Sequence, residues 1–395
     1  MDERLQRRQA RRQRLRRNRQ LQGTYLTLLL FGLILLFGVL HLITPDRAYS
    51  EDENRMLAQW PAPTWSSLRD GTYTDALERY FADQFPARDG WIGLKLRFDR
   101  ATGQKEANGV YLCSDDYLMQ IPTAPNEETL DRTLTAIDRF AAQYPSVNTV
   151  VSIVPNAVTI LSEKLPKNAP VRDRSADLQA IYAKLDSVKK VDVTQTLLAH
   201  KDETLYYRTD HHWTSLGAKL AFETIAPALD ITPIEDYSVY TVSDSFEGTL
   251  ASKSGCHGAT DVIEVYAPQS DVAYAVTYDD SHKTVCSLYD AAALKEKDQY
   301  TVFFGGNHPQ IDIETGADTG KTLLIFKDSY ANCFVQFLTP YYDRIVMIDA
   351  RYYYDNVSSI MRREGVTDVL FLYNLDTFQD DVSLADVLEA GADAQ

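Results

Sequence analysis

The chain has little cysteine: four residues in 395 (Cys113, Cys256, Cys286, Cys333), with neither a CxxC pair nor zinc-ligand spacing among them. That excludes a small scaffold stapled by disulfides. Cys256 and Cys286 could pair in an oxidising compartment, with small buried thiols as the equal reading; for Cys113 and Cys333 the buried thiol is the better one. Histidine is scarce too, at seven residues. Past the N-terminal tail there is no internal repeat and no low-complexity stretch. Positive charge is also short outside that tail. Nine arginines stand between Arg4 and Arg19 against Asp2 and Glu3, so the tail carries +7 of a net −16 and leaves −23 on everything after it. Nucleic-acid binders present dense positive surface to phosphates, so this balance argues against a nucleic-acid partner.

What is present begins with an apolar run, TYLTLLLFGLILLFGVLHLI at 24–43, containing no acid, lysine or arginine. Twenty helical residues at ~1.5 Å each span about 30 Å, the hydrocarbon thickness of a bilayer. Basic residues before a first hydrophobic segment hold that side in the cytoplasm. The expectation is a single-pass cell-membrane protein: a cytoplasmic arginine-rich tail (1–22), a transmembrane helix (23–43), a juxtamembrane stalk and helical region (44–105), and an extracytoplasmic domain (106–395). A cleaved signal peptide is the rival, since Ala48-Tyr49-Ser50 is a small-x-small site, but signal cores usually run about 7–15 residues.

From about residue 108 the pattern alternates between short β-rich runs and helical ones, which predicts an α/β layered domain with a mostly parallel sheet. Leu130, Leu134, Ile137 and Ala141 share one helix face ahead of the strand-like TVVSIV (149–154). Leu178, Ile181, Tyr182 and Leu185 do the same ahead of VDV (191–193). A helix is expected from Thr214 to about Thr224 and a β-rich insertion at roughly 238–285. YTVFF (300–304), TLLIF (322–326), RIVMI (344–348) and DVLFLY (368–373) read as buried strands, with helices near 355–364 and 380–390.

Two segments carry chemistry. In TDHHWT (209–214), Asp210 precedes His212 by two residues, so its carboxylate can turn onto the imidazole Nδ1–H and leave Nε2 free as a base. In KDSYANCF (327–334), Ser329 follows the TLLIF strand and opens a helical run, where the helix N-terminus favours negative charge developing on its oxygen. The plain alternatives are an accidental Asp-x-His triplet and a serine acting only as an N-cap. The two segments occurring together in a histidine-poor α/β chain favour Ser329 as nucleophile, His212 as base and Asp210 as orienting acid. His211 is expected to point the opposite way from His212, Trp213 to anchor the loop in the core, and Lys327 and Asp328 to be structural neighbours. A metal held by Asp210, His211 and His212 is the rival, but adjacent histidines seldom reach one ion and no third ligand at helical spacing is evident, so no metal or cofactor is expected.

At these residues the chain resembles the DHHW proteins, a membrane-anchored family that TDHHWT names. SEDENRMLAQWP (50–61), YFADQFPARDGW (80–91), NGVYL (108–112), FFGGNHP (303–309), KDSYANCF and IDARYY (348–353) carry the likeness across most of the C-terminal region. More distantly it is similar to the SGNH-hydrolase-like O-acetyltransferases that modify alginate. The resemblance implies an SGNH-like fold, catalytic roles for Asp210, His212 and Ser329, and a site order permuted from ordinary GDSL esterases, where serine comes first. It further implies an acyltransferase or esterase acting on O-acetyl groups of a cell-envelope glycan, and a membrane-bound O-acyltransferase partner that passes acyl groups across the bilayer.

Acyl transfer needs N–H donors around the tetrahedral oxygen. The Ser329 amide is one candidate, and Gly306 and Asn307 in the GGNHP turn are the next, because glycine lets backbone approach a ligand. Asn156, Asn332 and Asn374 are further candidates, and for each of these side chains and turn residues the plainer reading is an ordinary turn or cap residue. The reading from another functional class is a catalytically silent envelope protein that binds glycan or scaffolds an assembly on the same fold.

Overall fold

The computed structural model describes residues 2–50, 52–53, 55–233, 236–270 and 273–392. Glu51 and Asn54 of the SEDENRMLAQWP segment, and Asp271 and Val272 of the β-rich stretch, lie outside the described residues. Two compact units divide the chain, Met1–Arg97 and Phe98–Gln395.

In the first unit, one helix runs from Asp2 to Ile43 and contains a segment long and apolar enough to cross a bilayer. Pro45, which has no amide hydrogen to donate, follows its end. Helices Trp65–Asp70 and Thr72–Asp83 come next, and Arg88–Ala101 runs across the division. Thr64 opens the first of these with a capping box: its hydroxyl accepts from the Ser67 amide while the Ser67 side chain accepts from the Thr64 amide.

The second unit is built on an eight-stranded sheet ordered Lys283–Val285, Tyr274–Tyr278, Gln310–Thr315, Arg344–Ile348, Thr322–Lys327, Asp368–Asn374, Asn148–Val154 and Lys189–Lys190. The last five are mutually parallel; the first three pair antiparallel at the other edge. The mostly parallel α/β architecture expected from the sequence is therefore present. Both faces of the central strands are covered, which is why their middle positions are mostly apolar. Side chains alternate across a strand. Leu323 and Ile325 accordingly join the core that holds Trp213, Phe222 and Phe334, while Leu324 and Phe326 join the opposite one. There they meet Leu134, Ile137 and Phe140 of the helix Glu127–Gln143 and Leu384 and Leu388 of Ser383–Ala392.

Three sequence expectations are corrected. YTVFF is not a strand: residues Gln299–Val302 form a 3-10 turn, and Phe303 makes only an isolated bridge to Tyr289. Its apolar side chains face a core, but Phe304 has φ 63°, which no strand contains. VDV is not a strand either. Asp192 accepts from the Thr194 amide at 2.9 Å and opens the helix Thr194–Ala199, so the strand stops at Lys190. The β-rich stretch is only partly an insertion. Tyr237–Phe246 and Asp261–Pro268 form a separate hairpin around the helix Thr249–Ser254, but Tyr274–Tyr278 and Lys283–Val285 belong to the main sheet. All four cysteines carry free thiols, Cys333 buried and Cys286 exposed.

Candidate active site

Thr322–Lys327 lies between two parallel neighbours and delivers the chain to the carboxyl end of the sheet. From Leu323 to Thr339 every residue is buried except Ser329, which therefore surfaces at the turn. Asp328 shapes that turn. One of its oxygens accepts from the Tyr330 amide at 2.8 Å, and the other from the Asn374 amide and side chain at 2.7 and 2.6 Å. Burial pushes the Asp328 carboxyl up to about 6 against the pull of those amides. Ser329 occupies the N-cap position but makes no capping hydrogen bond with its side chain. The following helix, Tyr330–Phe334, is five residues long, so its dipole gives the serine little help.

That side chain faces histidine instead. Ser329 Oγ lies 2.7 Å from His212 Nε2, and His212 Nδ1 lies 2.5 Å from Asp210 Oδ1. The carboxylate can only accept, so Nδ1 carries the proton and Nε2 is free to receive one from the serine. The His212 amide also donates to Asp210 Oδ1 at 2.9 Å. Asp210 Oδ2 is held by the Thr249 amide and hydroxyl, both at 2.8 Å. Burial raises the Asp210 carboxyl, but the charges of His211 and His212 and these hydrogen bonds outweigh it and hold the group well below the usual carboxylate range.

The loop bearing the pair is fixed from the hairpin insertion. Asp261 accepts from the Thr209 amide and hydroxyl at 2.8 and 2.6 Å, and the Gly248 amide donates to the Thr209 hydroxyl at 2.9 Å. Gly248 must be glycine: a Cβ there would stand 2.3 Å from the Asp210 Cβ. Tyr300 lies flat on the His212 ring, with centroids 3.8 Å apart, and its hydroxyl donates to the Ser329 carbonyl at 3.0 Å. Trp213 is fully buried and donates to the Tyr330 carbonyl at 3.0 Å, tying the loop to the serine turn.

His211 corrects its expectation. Its ring does not point away but packs 3.9 Å from that of His212, with Nδ1 donating to the Thr249 hydroxyl at 2.7 Å. The segment is a series of bends, not a strand, so side chains do not alternate. One ligand atom from each of Asp210, His211 and His212 lies within 4.8 Å of the others, close enough for a cation. Both His212 nitrogens, however, are already committed to Asp210 and Ser329.

The oxyanion candidates separate. The Ser329 amide has no hydrogen-bond partner among the described residues. Gly306 has φ 119°, a conformation glycine adopts easily, but its amide donates to the Phe303 carbonyl at 3.3 Å. The Asn307 side-chain oxygen accepts from Asn332 at 3.2 Å and from Lys327 Nζ at 3.4 Å. Lys327 is wholly buried beside Asp349 at 3.5 Å, and desolvation lowers its ammonium. Asn156 and Asn374 bond each other at 3.1 Å and line a cleft of about 370 Å3. The walls of that cleft also include Asp210, His211 and Arg351, but not Ser329 or His212.

Gly248, Thr249, Asp261 and Tyr300 are the supporting residues that sequence reasoning missed. Asp-x-His spacing says nothing about what holds the acid, and one tyrosine among 24 has no local signal.

Residues 114–297 match the family described as SGNH hydrolase-like domain, acetyltransferase AlgX. Among curated proteins, the chain is 23% identical over 203 residues to a probable alginate O-acetylase AlgJ of Pseudomonas syringae pv. tomato, covering 49% of this chain and 52% of that protein. A second, from Pseudomonas putida, is 26% identical over 172 residues, covering 41% and 45%. The chain thus spans about half the length of the curated relatives it matches. Among solved structures, a DHHW family protein from Eubacterium siraeum superposes with TM-score 0.63 at 24% identity, covering 72% of this chain and 96% of that one. Bacillus cereus PatB1 with a sulfonyl adduct gives 0.58 at 20% identity, covering 69% and 97%. These two likenesses are of fold.

Proposed function

We propose that the protein is a membrane-anchored serine acyltransferase or esterase acting on O-acetyl groups of an extracytoplasmic, cell-envelope glycan. The observation that carries this is the unbroken relay from Asp210 through His212 to Ser329, with contacts of 2.5 and 2.7 Å. Ser329 Oγ attacks the acyl carbonyl carbon while its proton passes to His212 Nε2. As the carbonyl re-forms, the bond to the leaving group breaks and His212 returns the proton to it. A sugar hydroxyl, or water, then attacks the acyl-serine and loses its proton to His212, which passes it to Ser329 Oγ as the bond from Oγ to the acyl carbon breaks. Asp210 stays ionised and holds the imidazolium. The Ser329 amide, unpartnered among the described residues, is one donor to the tetrahedral oxygen.

The Pseudomonas relatives are named as probable alginate O-acetylases, which supports a polysaccharide acceptor and an acetyl group. The apolar helix after an arginine-rich tail supports a signal anchor with its N-terminus in the cytoplasm and residues 44–395 outside. An acyl donor passed across the bilayer by a membrane-bound O-acyltransferase fits that placement. The test is acetylation by an activated acetyl ester, read by peptide mass. The adduct should map to Ser329 and form equally well with EDTA present. A label elsewhere, or loss with EDTA reversed by zinc, overturns the reading in favour of a silent scaffold or a metal centre.

A further inference from the structure

The first unit exposes an unusual amount of aromatic surface for a segment expected to be a stalk. Three of the four tryptophans of the chain, Trp60, Trp65 and Trp91, lie in it. Trp65 is 90% exposed, and Leu68 stands one turn along the same short helix, also exposed. On the helix Arg88–Ala101, Trp91, Leu94 and Phe98 follow one another at three- and four-residue spacing and are 47, 55 and 66% exposed. That spacing is one face of a helix.

Charges of the unit are instead tied to each other. Arg55 meets Asp83 at 2.6 Å, Arg47 meets Asp89 at 2.8 Å and Arg88 meets Glu53 at 2.9 Å. These three ion pairs are internal to the unit, while the tryptophan rings stay uncovered.

Where the rings stand along the apolar helix identifies what covers them. His41 packs edge-on against Tyr80 at 5.5 Å, and Tyr80 against Trp60 at 5.1 Å, which puts this cluster beside the end of the helix at Ile43. Phe37 stacks on Phe85 at 5.1 Å and meets Trp91 at 6.1 Å. Phe37 is six residues short of Ile43, so Phe85 and Trp91 lie about 9 Å below the end of the apolar span, at ~1.5 Å per residue. Interfacial helices seat their apolar face about 5–10 Å into the boundary between headgroups and acyl chains. Tryptophan and tyrosine collect at the same level.

We infer that the segment from Trp60 to Leu94 is an in-plane membrane module whose exposed rings sit in the outer leaflet around the anchor, and not a stalk. This rests on the anchored reading above. The acyl and headgroup boundary suits the surface, because its exposed rings lie level with the last turns of the apolar helix and a lysine on the same face, Lys95, can reach the headgroups. A second copy of the chain or a separate protein is the competing occupant.

Tryptophan quenching in lipid bilayers tests it on the full chain. Trp60→Phe with Trp65→Phe leaves Trp91 and the fully buried Trp213 as emitters. With phosphatidylcholine brominated on the acyl chains near the headgroup, Trp91 emission should be lost while Trp213 emission persists. Adding Leu94→Lys, an exposed position, should restore part of the Trp91 emission without releasing the chain from the bilayer. If Trp91 is quenched by aqueous iodide and not by brominated lipid while the chain resists alkaline carbonate extraction, the module is wrong and the anchor stands. If Trp91 is shielded from both, a protein partner covers it and the module is again wrong. If carbonate extracts the chain, the anchor and the module fall together.

Discussion

Ser329 reaches the site on main chain that the sheet holds, whereas Asp210 and His212 reach it on a loop held by scattered side-chain and amide hydrogen bonds. The serine turn follows a strand flanked by two parallel neighbours, and the one side chain that shapes it, Asp328, is clamped by the next strand end at Asn374. The Asp-His loop has no such frame. It is pinned by Asp261, Gly248 and Thr249, all from the hairpin insertion and the helix inside it. The serine half should therefore tolerate loss of one hydrogen bond in geometry and answer in stability, while the histidine half should keep its stability and lose rate.

The largest effects test whether both halves are one machine. Ser329→Ala should abolish the acyl adduct, and His212→Ala should slow its formation about 10^6-fold. Asp210→Asn should cost about 10^4-fold, because the base remains in the wrong tautomer. All three are read as rates of mass increase, and a harmless Ser329→Ala would end the comparison.

Thr249→Val probes the histidine half more gently. It removes a hydroxyl from the Asp210 carboxylate, and a hydrogen bond to a charged group is worth about 1.5–3 kcal/mol, so acylation should slow roughly 10- to 100-fold. The Tm should change little. A large fall in Tm with unchanged rate would show that the insertion holds the fold and not the base.

Asp328→Asn probes the serine half through pH. The folded carboxyl titrates at about 6, above the unfolded ~3.9, so its favourable contribution is present below that lower value and lost as pH rises through 6. The variant does not titrate there. Its Tm deficit against the parent should narrow between pH 4 and 7, and a deficit that widens would mean the carboxylate is the favoured form in the fold.

The smallest effect is expected at His211→Ala. His211 makes no hydrogen bond to Ser329 or to Asp210 Oδ1, from which its Nδ1 lies 3.7 Å, so most of the acylation rate should remain. A loss equal to that of His212→Ala would mean that the ring packed against His212 shares its work.

The central strands were legible because each is buried on both faces and bounded by helical periodicity, as for TVVSIV and DVLFLY. YTVFF misled for a related reason: burial selects apolar side chains whether the backbone is a strand or a turn, and only the positive φ of Phe304 separates them. QIDIET (310–315), a true strand of the sheet, was missed because it alternates with acids near the antiparallel edge.

By itself the sequence determined the apolar span, the α/β class, and the two short segments that carry Asp210, His212 and Ser329. These are local properties: run length, periodicity, and the reach of a carboxylate across two residues. That Ser329 and His212, 117 positions apart, meet at 2.7 Å was decided only by the tertiary structure. So were the hold of Thr249 on Asp210, the cover of Tyr300 on His212, and the inward turn of His211. The physical reason is that these contacts join elements with no spacing rule between them, and a hydrogen bond or a stacked ring leaves no periodic trace along the chain.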